Sequence, residues 1–148
     1  MSASAVQHAI AQVDDPEYPG VSIVDLGLLQ AVEITGSHVA VDLIPTFSGC
    51  PALEMIRADV EAAALAVAGV TTAAVRFINS PVWTPARINE AGRAALAEHF
   101  TVAVQIGTTS PECPRCGTPT DEKAMFGPTR CRSVHRCPNC NEVVEVIR

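Results

Sequence analysis

The chain has 148 residues, enough for one core of about 100 residues and a small appendage. A hydrophobic share of 48% with 4% aromatic residues is a globular composition, outside the range of disordered proteins. The net charge of −6 argues against nucleic acid or an anionic membrane as a partner, and neither a membrane span nor a secretory signal is visible, so a cytoplasmic location is expected.

The hydrophobic pattern predicts an α+β fold class, with a small mixed sheet packed by helices. A tight turn at Gly36-Ser37 between two alternating segments predicts a β-hairpin. Pro51 suits the first residue of a helix and Gly69 its end. In chain order, the predicted elements are a helix (3–13), two hairpin strands (32–34 and 39–43), a helix (51–67), a strand (70–78), a helix (88–96) and a last strand (102–106).

A polar linker of breaker residues, 107–111, separates this layer from a cysteine-rich tail. The predicted domains are therefore residues 1–106 and a C-terminal ribbon over residues 107–148. Trp83, the single tryptophan, lies in the loop before the third helix, and we expect it to pack over the sheet edge.

Two C-x-x-C motifs in the tail are typical of a zinc ribbon. Each motif turns two thiolates inward, and the pair can close a tetrahedron around Zn²⁺ with no position left for a catalytic water. In a cytoplasmic chain, paired cysteines indicate metal or redox chemistry before disulfides. Redox dithiols and bound iron are the alternatives to structural zinc. The predicted ligands, with 20 residues between the motifs, are Cys113, Cys116, Cys137 and Cys140.

Two further residues of the tail lie between these motifs. Cys131 and His135 could replace a ligand or contact one from outside the coordination sphere, or they could simply be packed or exposed. The sequence leaves their roles open.

Cys50 stands apart from the tail and directly precedes the predicted helix start at Pro51. At that place unpaired N–H groups and the positive end of the helix dipole favour a thiolate, which is a nucleophile and a soft-metal ligand. A small buried core thiol fits the local sequence equally well. Acidic residues at Asp14, Asp15, Glu17 and Asp25 could converge on the same face, or they could be solvated in turns.

Three segments of the chain resemble the SufT-like iron–sulfur assembly family. They are Asp15-Pro16-Glu17, Ser22-Ile23-Val24-Asp25-Leu26-Gly27-Leu28 and Pro45-Thr46-Phe47-Ser48-Gly49-Cys50-Pro51-Ala52. The resemblance covers residues 1–106. A ribbon with Phe126-Gly127-Pro128-Thr129-Arg130-Cys131 between its knuckles is similar to that of the phenylacetate-degradation protein D (PaaD) family.

The resemblance implies a non-enzymatic accessory protein for maturation of the phenylacetyl-CoA ring epoxidase, whose reductase carries an iron–sulfur cluster. It implies that Cys50 is the functional thiol, with Asp15, Glu17 and Asp25 nearby, and that iron or a cluster is held transiently. The implied partners are the oxygenase or reductase component and the iron–sulfur assembly machinery.

Other hypotheses stay open at this stage. A non-catalytic structural subunit of the oxygenase would co-purify with it at fixed stoichiometry. A thiol enzyme using Cys50 would need a thiol pKa below the ordinary value of about 8.5. A nucleic-acid-binding ribbon is disfavoured by the acidic total, and the oligomeric state, a homo-oligomer included, is not determined by the sequence.

Overall fold

The computed structural model describes residues 2–46, 52–127 and 132–148. The chain forms two compact units, Met1–Trp83 (unit 1) and Thr84–Arg148 (unit 2). None of the helices in the described part is long and apolar enough to cross a membrane.

Unit 1 is a layer of helices on a small sheet. Its helices and strands are α1 (Ala3–Ile10), β1 (Asp14–Asp15), β2 (Tyr18–Ser22), β3 (Leu29–Thr35), β4 (His38–Leu43), α2 (Ala52–Leu65) and β5 (Thr72–Phe77). β1 and β2 form an antiparallel pair. β3, β4 and β5 form a separate sheet in that order.

β4 is the central strand of the three-stranded sheet. It pairs with β3 antiparallel and with β5 parallel, so α2 serves as the crossover between the two parallel strands. Val39, Val41 and Leu43 alternate along β4 and are fully buried, which places them on the core face of the sheet. Contacts of α1 with β3 and of α2 with β5 cover this sheet.

Unit 2 contains a 3₁₀ turn (Pro85–Arg87), α3 (Glu90–Phe100), β6 (Val102–Val104), β7 (Asp121–Ala124), β8 (Arg132–Arg136) and β9 (Val143–Ile147). Asn89 begins α3, because its side chain accepts the Gly92 N–H at 2.8 Å. The four strands form one sheet in the order β6-β9-β8-β7. β6 is parallel to β9, and the other neighbours are antiparallel.

The predicted α+β class with a C-terminal cysteine-rich ribbon is confirmed. One element has a partner that the pattern did not indicate: the strand expected at 102–106 is present as β6, but it pairs with β9 of the ribbon and not with the sheet of unit 1. Alternation of apolar residues specifies a strand and its faces and does not specify its neighbour. The domain boundary predicted between residues 106 and 107 stays a prediction.

Candidate functional site

The four ribbon cysteines meet in one cluster, which we call the thiol cluster (Cys113, Cys116, Cys137 and Cys140). All four Sγ atoms lie within 4.8 Å of one another. The Sγ atoms of Cys113 and Cys140 are 3.6 Å apart, and those of Cys116 and Cys137 are 3.4 Å apart. Among the described residues, this is the one group of three or more potential metal-ligating side chains brought together.

The first knuckle is shaped by its backbone. Gly117 N–H donates to the Cys113 carbonyl at 2.8 Å, and Cys113 N–H donates to the Thr118 carbonyl at 2.8 Å. Gly117 adopts a φ of +79°, which turns the chain back after Cys116. The Arg115 N–H points at the Cys113 Sγ at 3.4 Å.

The second knuckle repeats this geometry with different residues. Asn141 N–H donates to the Cys137 carbonyl at 3.0 Å, and Cys137 N–H donates to the Glu142 carbonyl at 2.9 Å. Asn141 has a φ of +68°, the position that Gly117 occupies in the first knuckle. The Cys140 N–H points at the Cys137 Sγ at 3.4 Å. Both motifs therefore present two sulfur atoms from the same kind of turn.

The sulfur geometry fits a tetrahedral metal ion. A zinc–sulfur bond of about 2.3 Å places the corners of a tetrahedron about 3.8 Å apart. The closest sulfur pairs, at 3.4 and 3.6 Å, and the outer limit of 4.8 Å bracket that spacing. The thiol cluster can therefore hold a metal ion without rearrangement of its backbone.

Each knuckle contributes one buried and one exposed sulfur. Cys113 is 2% exposed and Cys137 is fully buried, whereas Cys116 and Cys140 are exposed. The buried pair packs with Val144 and Val146 of β9 in one apolar group. One side of the cluster is thus part of the ribbon core, and the other is open to an incoming ion.

The thiols do not share the same affinity for protons. Hydrogen bonds from the Thr118 and Asn139 side chains and the Thr118 backbone lower the pKa of Cys116 to about 5. At Cys140 the Glu142 backbone hydrogen bond lowers the pKa, but partial desolvation of the sulfur and the neighbouring thiols raise it to about 12. Cys140 therefore keeps its proton at neutral pH without a metal, and a cation that binds this sulfur as a thiolate must displace that proton.

Asp15 is the last residue of β1, and Glu17 lies in the turn between β1 and β2. Asp15 is 9% exposed, and its Oδ1 accepts the Glu17 N–H at 2.8 Å. Glu17 is exposed. Neighbouring Asp14 is also exposed, and its Oδ2 accepts the Gly20 N–H at 3.0 Å. The Asp14 and Asp15 carboxylates thus hold the hairpin turn, and the role predicted for Asp15 and Glu17 beside a functional thiol stays a prediction.

Asp25 is half-buried in the next turn, residues 22–28, which leads from β2 into β3. The Leu26 N–H donates to the Ser22 carbonyl at 3.0 Å within it. Trp83 is 9% exposed, and its Nε1 donates to the Leu26 carbonyl at 2.8 Å. The tryptophan therefore packs and also fixes the turn that carries Asp25.

Replacing Trp83 by phenylalanine is expected to destabilise unit 1 by about 1–3 kcal/mol, because the buried Leu26 carbonyl loses its donor. Urea unfolding followed by the amide resonances of β4 measures this change. Val82→Ala is the matched control, since Val82 is 76% exposed and a surface change of this kind alters stability by less than about 0.5 kcal/mol. Equal stability of the two variants would contradict the role of this hydrogen bond.

The turn with Asp25 lies at the end of the sheet where β4 and β5 finish. The Ile44 N–H donates to the Leu28 carbonyl at 2.8 Å, and the Ile78 N–H donates to the Leu43 carbonyl at 2.8 Å. The carboxyl ends of parallel strands are where ligands bind in open α/β sheets. The segment that follows β4 in sequence contains Cys50, which lies outside the described residues, as does Cys131.

Some residues of the site had not been singled out from the sequence. Asn141 is the left-handed counterpart of Gly117, and asparagine after a second cysteine is a usable signal because it tolerates this conformation. Thr118 contacts the Cys116 sulfur at 3.4 Å. Thr120 was not singled out either, and its Oγ1 lies 3.0 Å from Nδ1 of His135, which the sequence had marked and which is 2% exposed; no local pattern marks that contact.

Known families match both parts of the chain. A family model described as an iron–sulfur cluster assembly protein matches residues 3–75. A second, described as the PaaD zinc beta ribbon domain, matches residues 98–148. Both resemblances noted in the sequence are therefore confirmed.

Individual relatives agree with these matches. An Escherichia coli (strain K12) protein, named as one subunit of a "Putative 1,2-phenylacetyl-CoA epoxidase", is 32% identical over 141 residues, covering 90% of this chain and 84% of that protein. A crystal structure of a DUF59 domain of unknown function from Bacillus anthracis has a TM-score of 0.60 and 28% identity, covering 64% of this chain and 91% of that one. A conserved hypothetical protein from Thermotoga maritima has a TM-score of 0.55 and 32% identity, covering 63% and 91%.

Proposed function

Because this chain belongs to the PaaD family, we propose that it is a non-catalytic accessory protein for iron or iron–sulfur cluster insertion into a phenylacetyl-CoA epoxidase component. The observation that carries this proposal is the presence, in one chain, of an iron–sulfur assembly domain over residues 3–75 and a PaaD ribbon over residues 98–148. The E. coli relative bears the name of an epoxidase subunit, which supports the epoxidase as the client system.

The two units have different roles in this proposal. Cys50 holds iron or a cluster transiently, with Asp15, Glu17 and Asp25 as its neighbours on the assembly domain. These carboxylates are oxygen ligands or hydrogen-bond acceptors, and the turn that carries Asp25 borders the sheet end at which the segment after β4 begins. The iron or cluster is cargo that passes to the client, so no reaction is catalysed on the chain itself.

The ribbon holds a resident metal, which we assign as zinc bound by Cys113, Cys116, Cys137 and Cys140. Four thiolates at tetrahedral spacing are the ligand set of structural zinc sites. Zinc supplies folding free energy on the order of 10–16 kcal/mol in small domains of this kind. The ribbon then serves as a rigid docking module for the oxygenase or reductase component.

A second candidate is a permanent, non-catalytic subunit of the oxygenase, which the name of the E. coli relative supports. The maturation factor and the permanent subunit can be distinguished by purifying the tagged epoxidase. The measurement is the number of copies of this chain per copy of the oxygenase. We expect far less than one chain per oxygenase in the active complex, because a maturation factor leaves after delivery. The permanent subunit would be favoured if this chain stays in the purified complex at one copy per oxygenase and is required for turnover.

A further inference from the structure

A buried chain of hydrogen bonds joins the base of the first knuckle to the strand that leads into the second. The Thr120 N–H and Oγ1 donate to the Pro111 carbonyl at 3.0 and 2.9 Å. One residue further into the loop on each side, Glu112 and Pro119 form an antiparallel β-bridge. Because Cys113 and Cys116 lie between Pro111 and Thr120, these bonds close the loop that presents both of their sulfur atoms.

The imidazole of His135 extends this chain to β8. Its Nδ1 lies 3.0 Å from Thr120 Oγ1, and Thr120 is 1% exposed while His135 is 2% exposed. The Thr120 hydroxyl has one proton, and a carbonyl can only accept, so that proton goes to Pro111. His135 must therefore donate from Nδ1–H to the Thr120 hydroxyl oxygen.

Stability alone gives no reason for an imidazole at this position. His135 pairs in register with Val144, which is fully buried, so an apolar side chain would suit these surroundings. Nε2 is buried and has no hydrogen-bond partner among the described residues, and burying such an atom costs free energy. What the histidine adds is one directional bond to the closure of the first knuckle.

From these contacts we infer that His135 is a positioning residue that fixes the first knuckle relative to the second. Cys137 follows β8 directly, two residues after His135, so one strand carries both the imidazole and a second-knuckle sulfur. The bonds through Thr120 hold the two cysteine pairs in register before a metal ion arrives. This inference rests on the proposed function of the thiol cluster as a metal site.

The test is a double-mutant cycle with Thr120→Val and His135→Phe, which remove the hydroxyl and the N–H while keeping side-chain volume. The measurement is the rate of zinc release from the full chain to a coloured chelator, with zinc content determined beforehand. Each single variant is expected to release zinc about 10- to 100-fold faster, because removal of outer partners of metal ligands typically lowers metal affinity by about that factor. The double variant is expected to match Thr120→Val, because that variant already lacks the bond to His135 as well as the Oγ1 bond to the Pro111 carbonyl.

Two further variants sharpen the test. Thr120→Ser keeps the hydroxyl and is expected to release zinc at the wild-type rate, as is His99→Gln, a change at an exposed histidine on α3. Unchanged release from Thr120→Val, or effects that multiply in the double variant, would overturn the positioning role while leaving the metal assignment intact. A wild-type chain that holds no metal would overturn both.

Discussion

Replacing Cys137 by serine is expected to abolish metal binding and to unfold the four-stranded sheet of unit 2. Cys137 is fully buried and packs with Val144 and Val146, so its loss removes a ligand and leaves a polar hydroxyl in an apolar group. Structural zinc contributes on the order of 10–16 kcal/mol. That is as large as the whole margin of about 5–15 kcal/mol by which most domains are stable, so the ribbon should not remain folded.

Amide correlation spectra and elemental analysis of the purified chain measure this outcome. The resonances of β7, β8 and β9 should collapse to unfolded positions, while those of β3, β4 and β5 persist because unit 1 has its own core. Cys131→Ser is the control, and it should keep one equivalent of zinc because four other thiols complete the site. Retention of zinc and of a folded ribbon by Cys137→Ser would contradict the four-thiolate centre.

Replacing Cys50 by alanine is expected to remove most of the iron–sulfur content of the client while leaving unit 1 folded. α2 begins at Ala52, two residues after Cys50, so alanine at this point does not interrupt the helix. The thiol is the soft ligand proposed to hold iron in transit. The measurement is iron and acid-labile sulfide per client polypeptide, purified from cells that carry only the variant chain.

A second cysteine variant serves as the control, so that a loss of iron or cluster binding can be distinguished from a loss of the protein itself. Cys131→Ala removes a different thiol of the same chain, and the client should stay loaded. Abundance of each variant is measured in the same cells. A fully loaded client beside Cys50→Ala would remove Cys50 from the proposed mechanism and leave the ribbon assignment unaffected.

Local signals in the sequence were sufficient for the helices, the hairpin, β5 and β6, and for the cysteine cluster. They did not indicate β1, β2 or the separate strands of the ribbon. The turn at Gly36 and the alternation of Val39, Val41 and Leu43 fix a hairpin and its buried face within a few residues. The knuckles are also local, since each depends on a turn of five residues and on hydrogen bonds within it. Such features follow from backbone conformation and do not need the rest of the fold.

Contacts between distant segments could not be predicted in this way. The Trp83 indole meets the Leu26 carbonyl across 57 residues, and His135 meets Thr120 across 15. β6 pairs with β9 because the ribbon sheet offers it an edge, and its own three residues do not encode that choice. The role of Cys50 depends on the residues around it in the folded protein. The sequence motif identifies the cysteine but does not predict those surroundings.

The claim that the chain delivers iron or a cluster is tested most directly in cells that lack it. Iron and acid-labile sulfide are measured in the iron–sulfur component of the epoxidase, purified from these cells and from cells with the wild-type chain restored. Depletion without the chain, reversed by its return, is the predicted result. An epoxidase component that acquires its full complement without any copy of this protein would contradict the account.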